Sequence, residues 1–186
     1  ILENAGAQLA RHYGMLSRGD VGLTDAMTSD FQAGAEGMFE FVNAIRAGIN
    51  FLPGCGNLGS FLGASLEKVV LDAEMAQYIK RYLQPLEITP DSMAIDEIKK
   101  VGPSGNFVTS QHTFKHFKTE LTIPDIFTRD SYDKWDEGEK LNAKERANRK
   151  VTEILDSYVQ PPIDEGLEQE LDDFAARYYP APWTDN

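Results

Sequence analysis

Long amphipathic helical patterns fill most of this chain, and only two or three segments are short and apolar enough to be strands. That imbalance limits the possible folds more than any other feature. The segment Leu16 to Leu23 carries two glycines, alternates loosely and ends in Thr24-Asp25, which reads as a short strand. The run Ile49 to Leu52, bounded by Gly48 and Pro53-Gly54, has the look of a strand buried on both faces. A third short extended piece is expected at Phe107-Val108. Strands alternating with helices at this spacing argue for a parallel sheet covered by helices, an α/β class. So few strands fall short of a closed or doubly wound sheet, so the chain is expected to supply part of a larger one.

The helices are punctuated by residues that start and stop them. The first carries Leu2, Ala5, Leu9 and Tyr13 at helical spacing and stops at Gly14. Ser29 or Asp30 can accept from the free N–H groups of a second helix, which places Phe31, Ala35, Met38, Phe39, Val42 and Ile45 on one side and ends near Gly48. A third runs from Leu66 to Leu83, acidic early and basic late as the helix dipole favours, and Pro85 closes it. Thr89-Pro90-Asp91 starts a helix that Gly102-Pro103 ends. A helical turn is expected over Ser110 to Phe117, with irregular chain at Pro124 and renewed order from Asp130 to Trp135. Two charged helices follow, Leu141 to Tyr158 and Asp164 to Tyr178. The chain opens Ile1-Leu2-Glu3-Asn4 inside a helical pattern and without an initiator methionine, the expected start of a fragment or processed chain.

Charge narrows the partners. With 18 Lys+Arg against 30 Asp+Glu the formal charge is −12, which repels phosphate backbones and anionic lipid headgroups, so neither nucleic acid nor membrane is an expected partner. No apolar run approaches the roughly 18 residues that cross a bilayer. Cys55 is the single cysteine, so no disulfide forms within the chain and a reducing, cytoplasmic setting is expected. At 186 residues and 41% hydrophobic, there is enough apolar material for a packed core.

Several residue patterns invite chemistry. Gly54-Cys55-Gly56-Asn57-Leu58-Gly59 spells the dinucleotide fingerprint, but no helix pattern opens at the loop and no second strand precedes the candidate acid, Asp72. The glycines are better read as a tight turn that brings backbone close to a neighbour or ligand. His112 and His116, four apart, share one helix face and have a metal-ligand spacing, yet the zincin glutamate is replaced by Thr113 and a third ligand would have to come from elsewhere; no metal is expected. His12 is expected at a surface or interface. Glu67, Asp72 and Glu74 are acid/base candidates, set against a solvated helix face or a loop-fixing role. Thr24-Asp25 is better placed, because barrel active sites collect where strands end. Cys55 is expected to be a buried structural thiol.

The ordered series Ala7-Gln8-Leu9-Ala10-Arg11-His12-Tyr13-Gly14, Thr24-Asp25, Asp30-Phe31-Gln32-Ala33-Gly34-Ala35-Glu36, the glycine-rich Gly48 to Gly56 stretch, Ser65 to Glu74, His112-Thr113 with His116, then Glu120, Pro124, Arg129, Tyr132, Trp135 and Leu167 to Leu171 resembles the trimethylamine:corrinoid methyltransferase family. It covers nearly the whole chain in the family's order. The resemblance implies the C-terminal part of a TIM-type (β/α)8 barrel, residues 1–128 giving later strands and helices and 129–186 a C-terminal helical extension, completed by the N-terminal part of the same barrel. It implies methyl transfer from a tertiary or quaternary methylamine, trimethylamine or a betaine, to the cobalt of a corrinoid (cobalamin) carried by a partner protein. The pyrrolysine-free, glycine-betaine-methyltransferase-like branch is the nearer match, since only standard residues stand here. A homo-oligomer is compatible with it.

A methylated ammonium has no N–H to donate, so aromatic faces and carboxylates would hold it. The residues so implied are Phe51, Phe107 and Phe114 with Asp25 or Glu36, while Gln32, Asn57 and His112 would hydrogen-bond a substrate carboxylate. No catalytic residue is named by the pattern. An equally open reading has Gln32 and Glu36 orienting loops, and a rival of another class makes the chain a non-catalytic scaffold for a corrinoid protein.

Overall fold

The structure, a computed structural model, describes residues 1–178. These divide into two compact units, residues 1–153 and 154 onward. The first contains α1 (Leu2–His12), α2 (Phe31–Ala47), β1 (Asn57–Leu58), β2 (Gly63–Ala64), α3 (Leu66–Tyr82), α4 (Pro90–Met93), α5 (Ile95–Val101), α6 (Gln111–Glu120), α7 (Tyr132–Glu137) and most of α8 (Ala143–Asp156). The second contains α9 (Glu165–Tyr178), which spaces Leu167, Leu171 and Phe174 along one face. The helix expected from Asp164 to Tyr178 is thus present. The described chain is mostly helical with very little sheet.

Helix α2 forms where its caps dictate. The Asp30 carboxylate accepts from Gln32 N at 2.9 Å and Ala33 N at 3.3 Å, and Gly48 closes the other end in the left-handed region. Between them Ala33, Gly37, Phe41, Ala44 and Ala47 recur at helical spacing and are buried. Phe41, Ala44 and Ala47 meet Ala7 of α1 and Met75 and Ile79 of α3, together with Val21 and Ile49, in one apolar core. Burying a side chain the size of Phe41 is worth about 1.5–3 kcal/mol over leaving it exposed, so this core, rather than helix propensity, holds the three helices together.

The two segments expected as strands lie side by side but are not regular strands. They make one parallel bridge, Arg18 with Phe51, supported by Gly19 N donating to Phe51 O at 3.1 Å and Val21 N to Pro53 O at 2.9 Å. The order is therefore helix, extended segment, helix, extended segment, helix, with α2 as the crossover between parallel partners. Gly54 permits the close approach, since a Cβ there would lie 2.7 Å from Val21 O. Ile49 to Leu52 is not buried on both faces: Ile49 is buried but Phe51 is 64% exposed. A strand buried on both faces needs packed layers above and below it, and among the described residues no such layer covers the Phe51 side chain.

The regular strands are elsewhere, in the glycine-rich stretch. β1 and β2 pair antiparallel, Asn57 opposite Ala64 and Leu58 opposite Gly63. No strand forms at Phe107-Val108. Asn106 Oδ1 accepts from Val108 N at 2.8 Å and Ser110 N donates to Phe107 O at 3.0 Å, so side-chain and backbone bonds fold the segment into a turn. The single helix expected from Pro90 is two. Ala94 adopts φ 50° and its N–H bonds back to Pro90 and Asp91, ending α4 before Asp96 and Glu97 open α5. None of the described helices is long and apolar enough to cross a membrane.

Candidate functional site at the ends of the parallel segments

The chain from Val21 to Ala26 leaves the parallel pair and is clamped by two carboxylates one turn apart on α2. Glu40 Oε2 accepts from Leu23 N at 2.8 Å. Glu36 Oε2 accepts from the Thr24 hydroxyl at 2.6 Å and from Asp25 N at 3.0 Å, and its other oxygen accepts from Gln32 Nε2 at 2.9 Å. Those bonds, Thr24's first, hold the Glu36 carboxyl below its ordinary value. Desolvation pushes Glu40 the other way, with the Leu23 amide opposing it. Thr24 is buried and also accepts from Ala26 N at 2.9 Å.

The β1–β2 hairpin docks on this turn. Ser60 N donates to Thr24 O and Gly59 N to Ala26 O, each at 2.9 Å, and the Ser60 hydroxyl donates to the Asp25 carboxylate. At the hairpin tip Ser60 and Phe61 hold φ 53° and 72°, a costly conformation for residues with a Cβ, and Phe61 and Leu62 project into solvent. Asn57 Nδ2 donates to Gly54 O at 2.6 Å, inside the same loop. The structure thus brings Asp25, Gln32, Glu36 and Asn57 into one neighbourhood, with the carboxylates of Glu36 and Asp25 already engaged in positioning the loops.

Behind the turn lies a buried ion pair. Lys68 Nζ sits 2.6 and 2.7 Å from the Asp72 oxygens and 2.8 Å from Gly22 O, while Asp72 Oδ2 accepts from Gly56 N at 2.8 Å. Asp72 and Lys68 are 0% and 1% exposed. Desolvation pushes the Asp72 carboxyl up; Lys68 and the Gly56 amide offset it in part. The pair fastens α3 to both loops at the ends of the parallel segments. Gly22, at φ 70°, has no room for a Cβ, which would meet Asp72 Oδ2 at 2.7 Å.

Of the two non-catalytic roles expected for Asp72 and Glu74, loop fixing is the one seen: α3 turns both inward, where Asp72 accepts from Gly56 N at 2.8 Å and Glu74 from Asp125 N at 3.3 Å. One expectation fails here. Cys55 is exposed rather than buried, and desolvation, then the Asp72 charge, pushes its thiol up, which disfavours a thiolate nucleophile. The dinucleotide motif also lacks its helix, since a hairpin follows the glycines.

The remaining sequence-nominated residues stand apart from this turn. Phe51 is exposed beside the bridge; Phe107 and Phe114 are exposed, and Phe114 has Phe117 as its ring neighbour at 6.1 Å. His112 lies against α4, its Nε2 donating to Asp91 O at 2.8 Å. Sequence reading missed Glu40, Ser60 and Lys68. The four-residue spacing of Glu36 with Glu40 and of Lys68 with Asp72 was the available signal, though solvated helix faces carry the same spacing.

The comparisons with known proteins bear on this arrangement as a whole. Residues 1–180 match the family model for trimethylamine methyltransferase. The chain belongs to the trimethylamine methyltransferase family. It is 41% identical over 175 residues to a glycine betaine methyltransferase of Desulfitobacterium hafniense (strain Y51), covering 94% of this chain and 36% of that protein. A trimethylamine methyltransferase MttB of Desulfitobacterium hafniense (strain DSM 10664 / DCB-2) is 31% identical over 165 residues, 88% of this chain and 33% of the relative. An L-carnitine:corrinoid methyltransferase of Eubacterium limosum is 29% identical over 164 residues, 87% of this chain and 33% of the relative. The chain spans about a third of the length of these relatives. Within the family's matched region lie the clamped turn, the hairpin and the ion pair.

Proposed function

We propose that this chain is the C-terminal part of a corrinoid-dependent methyltransferase, moving a methyl group from a tertiary or quaternary methylamine to the cobalt of a corrinoid bound to a separate protein. The observation that carries the reading is the 41% identity to a glycine betaine methyltransferase across 94% of the chain. A betaine is therefore favoured over trimethylamine as donor. The parallel pairing across α2 supports reading residues 1–128 as later elements of a TIM-type barrel and 129–186 as a helical extension. Loops at strand ends are where such barrels work, which is where Asp25, Glu36 and the hairpin lie. A cytoplasmic, homo-oligomeric enzyme accords with the reading.

In the transfer, reduced cobalt attacks the N-methyl carbon in line, the C–N bond breaks, and the amine leaves with its electron pair. The protein positions the donor and stabilises its charge. Asp25, exposed where the extended segment ends, supplies negative charge near a cationic ammonium. Glu36, Gln32 and Asn57 hold the loops that present it. Phe51, Phe107, Phe114 and His112, which stand apart from the turn, would join only against parts of the barrel outside this chain.

The scaffold reading is disfavoured by the exposed apolar residues along the parallel segments, Leu16 at 84% and Phe51 at 64%, which an autonomous module would cover. Methyl-labelled glycine betaine or trimethylamine, offered to the intact natural protein with its reduced corrinoid protein, tests the assignment by mass spectrometry. Demethylated amine that forms only when the corrinoid protein is present supports it; intact donor throughout removes it for those amines.

A further inference from the structure

Away from the clamped turn, α6 and α4 bring together three groups, of which Asp91 and His116 have no part in the proposed methyl transfer. His112 and His116, one turn apart on α6, place their ring centroids 4.4 Å from each other. Asp91, on α4, approaches both, and a nitrogen of each ring and a carboxylate oxygen all lie within 4.8 Å of one another. The third ligand that sequence spacing did not supply therefore comes from across the fold.

The contact between His116 and Asp91 is peculiar. Nε2 lies 3.1 Å from Oδ2, close enough for a hydrogen bond, yet this buried nitrogen makes none. Ligand atoms of one ion have that relation: with metal–nitrogen and metal–oxygen distances of about 2.0–2.2 Å, neighbouring donors in a tetrahedral shell sit about 3.3 Å apart, facing the ion rather than each other. His112 is held from behind by donating Nε2 to the Asp91 carbonyl at 2.8 Å, which leaves its other ring nitrogen with the lone pair. A histidine ligand supported through its second nitrogen by a backbone carbonyl is the usual outer-shell arrangement. Lys115 Nζ, 2.8 Å from Asp91 Oδ2, does not exhaust the carboxylate, which has about four lone-pair sites.

We propose that Asp91, His112 and His116 form a site for a divalent transition-metal ion of the zinc class, pinning α4 to α6. Two imidazoles and one carboxylate suit zinc, cobalt or nickel and are a poor set for magnesium or calcium, which take oxygen ligands. The three side chains also line a cleft of ≈ 690 Å³ together with Arg81, Glu87 and Glu120.

The test uses the intact natural protein, stripped with a chelator and titrated with Zn²⁺ by calorimetry and with Co²⁺ by absorption. About one equivalent should bind, with the visible bands of low-coordinate cobalt. His112→Ala, His116→Ala and Asp91→Asn should each weaken binding at least about tenfold, whereas His12→Ala should leave it unchanged. Wild-type protein that retains no Zn²⁺ near neutral pH, or equal affinity in the His112→Ala/His116→Ala double variant, overturns the proposal. Should the variants misfold, the wild-type cobalt spectrum decides, because a hexahydrate-like spectrum contradicts the site.

Discussion

At the scale of single residues, the Lys68–Asp72 pair has the largest consequence. Asp72→Ala would strand a buried ammonium with Gly22 O and cost about 3–5 kcal/mol, whereas Lys68→Met with Asp72→Leu should recover most of that loss. Denaturant unfolding of the two variants checks this, and equal losses would contradict it. Glu67 carries a pH prediction. Its carboxyl accepts first from the Ser65 hydroxyl and then from Asn148 of α8, which lowers it from 4.5 to about 2. A depressed acid stabilises the fold above its unfolded value and loses that contribution as pH falls through the folded one. The contribution is thus complete above 4.5 and disappears toward about 2. Glu67→Gln should flatten the decline in melting temperature across that window; an unchanged acid limb would contradict the assignment. None of this was legible in the sequence, because Glu67, Asp72 and Glu74 share a charged helical stretch and only packing tells the buried acids from the partly exposed one.

At the scale of elements, the helices were legible because their caps are local. Asp30, Ser65, Thr89 and Ser110 each accept a bond from their own first turn. Asp30→Ala should cost about 1 kcal/mol, read as a lowered melting temperature, while Ser29→Ala, beside it and outside the cap, should cost less. The extended segments were harder. Leu16 to Leu23 and Ile49 to Leu52 were located, and they do pair in parallel, but strand regularity needs neighbours that the sequence pattern cannot supply. The hairpin of Asn57 to Ala64 was hidden by its glycines and by the left-handed Ser60 and Phe61, which read as loop. The docking of that hairpin on Thr24 and Ala26 makes a prediction of its own. Glu36→Gln keeps the bonds to Thr24 and Asp25 in weakened, uncharged form, so in the intact protein it should raise KM for the methyl donor more than it lowers kcat. A pure kcat loss would give Glu36 a role beyond positioning.

At the scale of the whole molecule, the described residues expose apolar side chains along the parallel segments and the hairpin tip, among them Met15, Leu16, Phe51, Phe61 and Leu62. Unpaired edges and uncovered apolar surface promote association, so this 186-residue chain produced alone should self-associate, with sedimentation that depends on concentration. A monodisperse monomer would contradict that and favour the scaffold reading. The sequence reached the family, and helix–strand rhythm placed Asp25 at the end of an extended segment, while Glu36 and Asn57 were nominated only through the family resemblance. It did not reach the Asp91–His112–His116 cluster, whose third member is 21 residues away from His112 along the chain.

The cobalt spectrum reads the proposed methyl transfer to a corrinoid directly. The intact natural protein, mixed with its corrinoid protein in demonstrably reduced form, is offered glycine betaine, trimethylamine and related betaines one at a time. Conversion of the reduced spectrum to that of methylcobalamin with one donor, glycine betaine first among them, is the predicted result. A reduced spectrum that persists with every donor would contradict the claim.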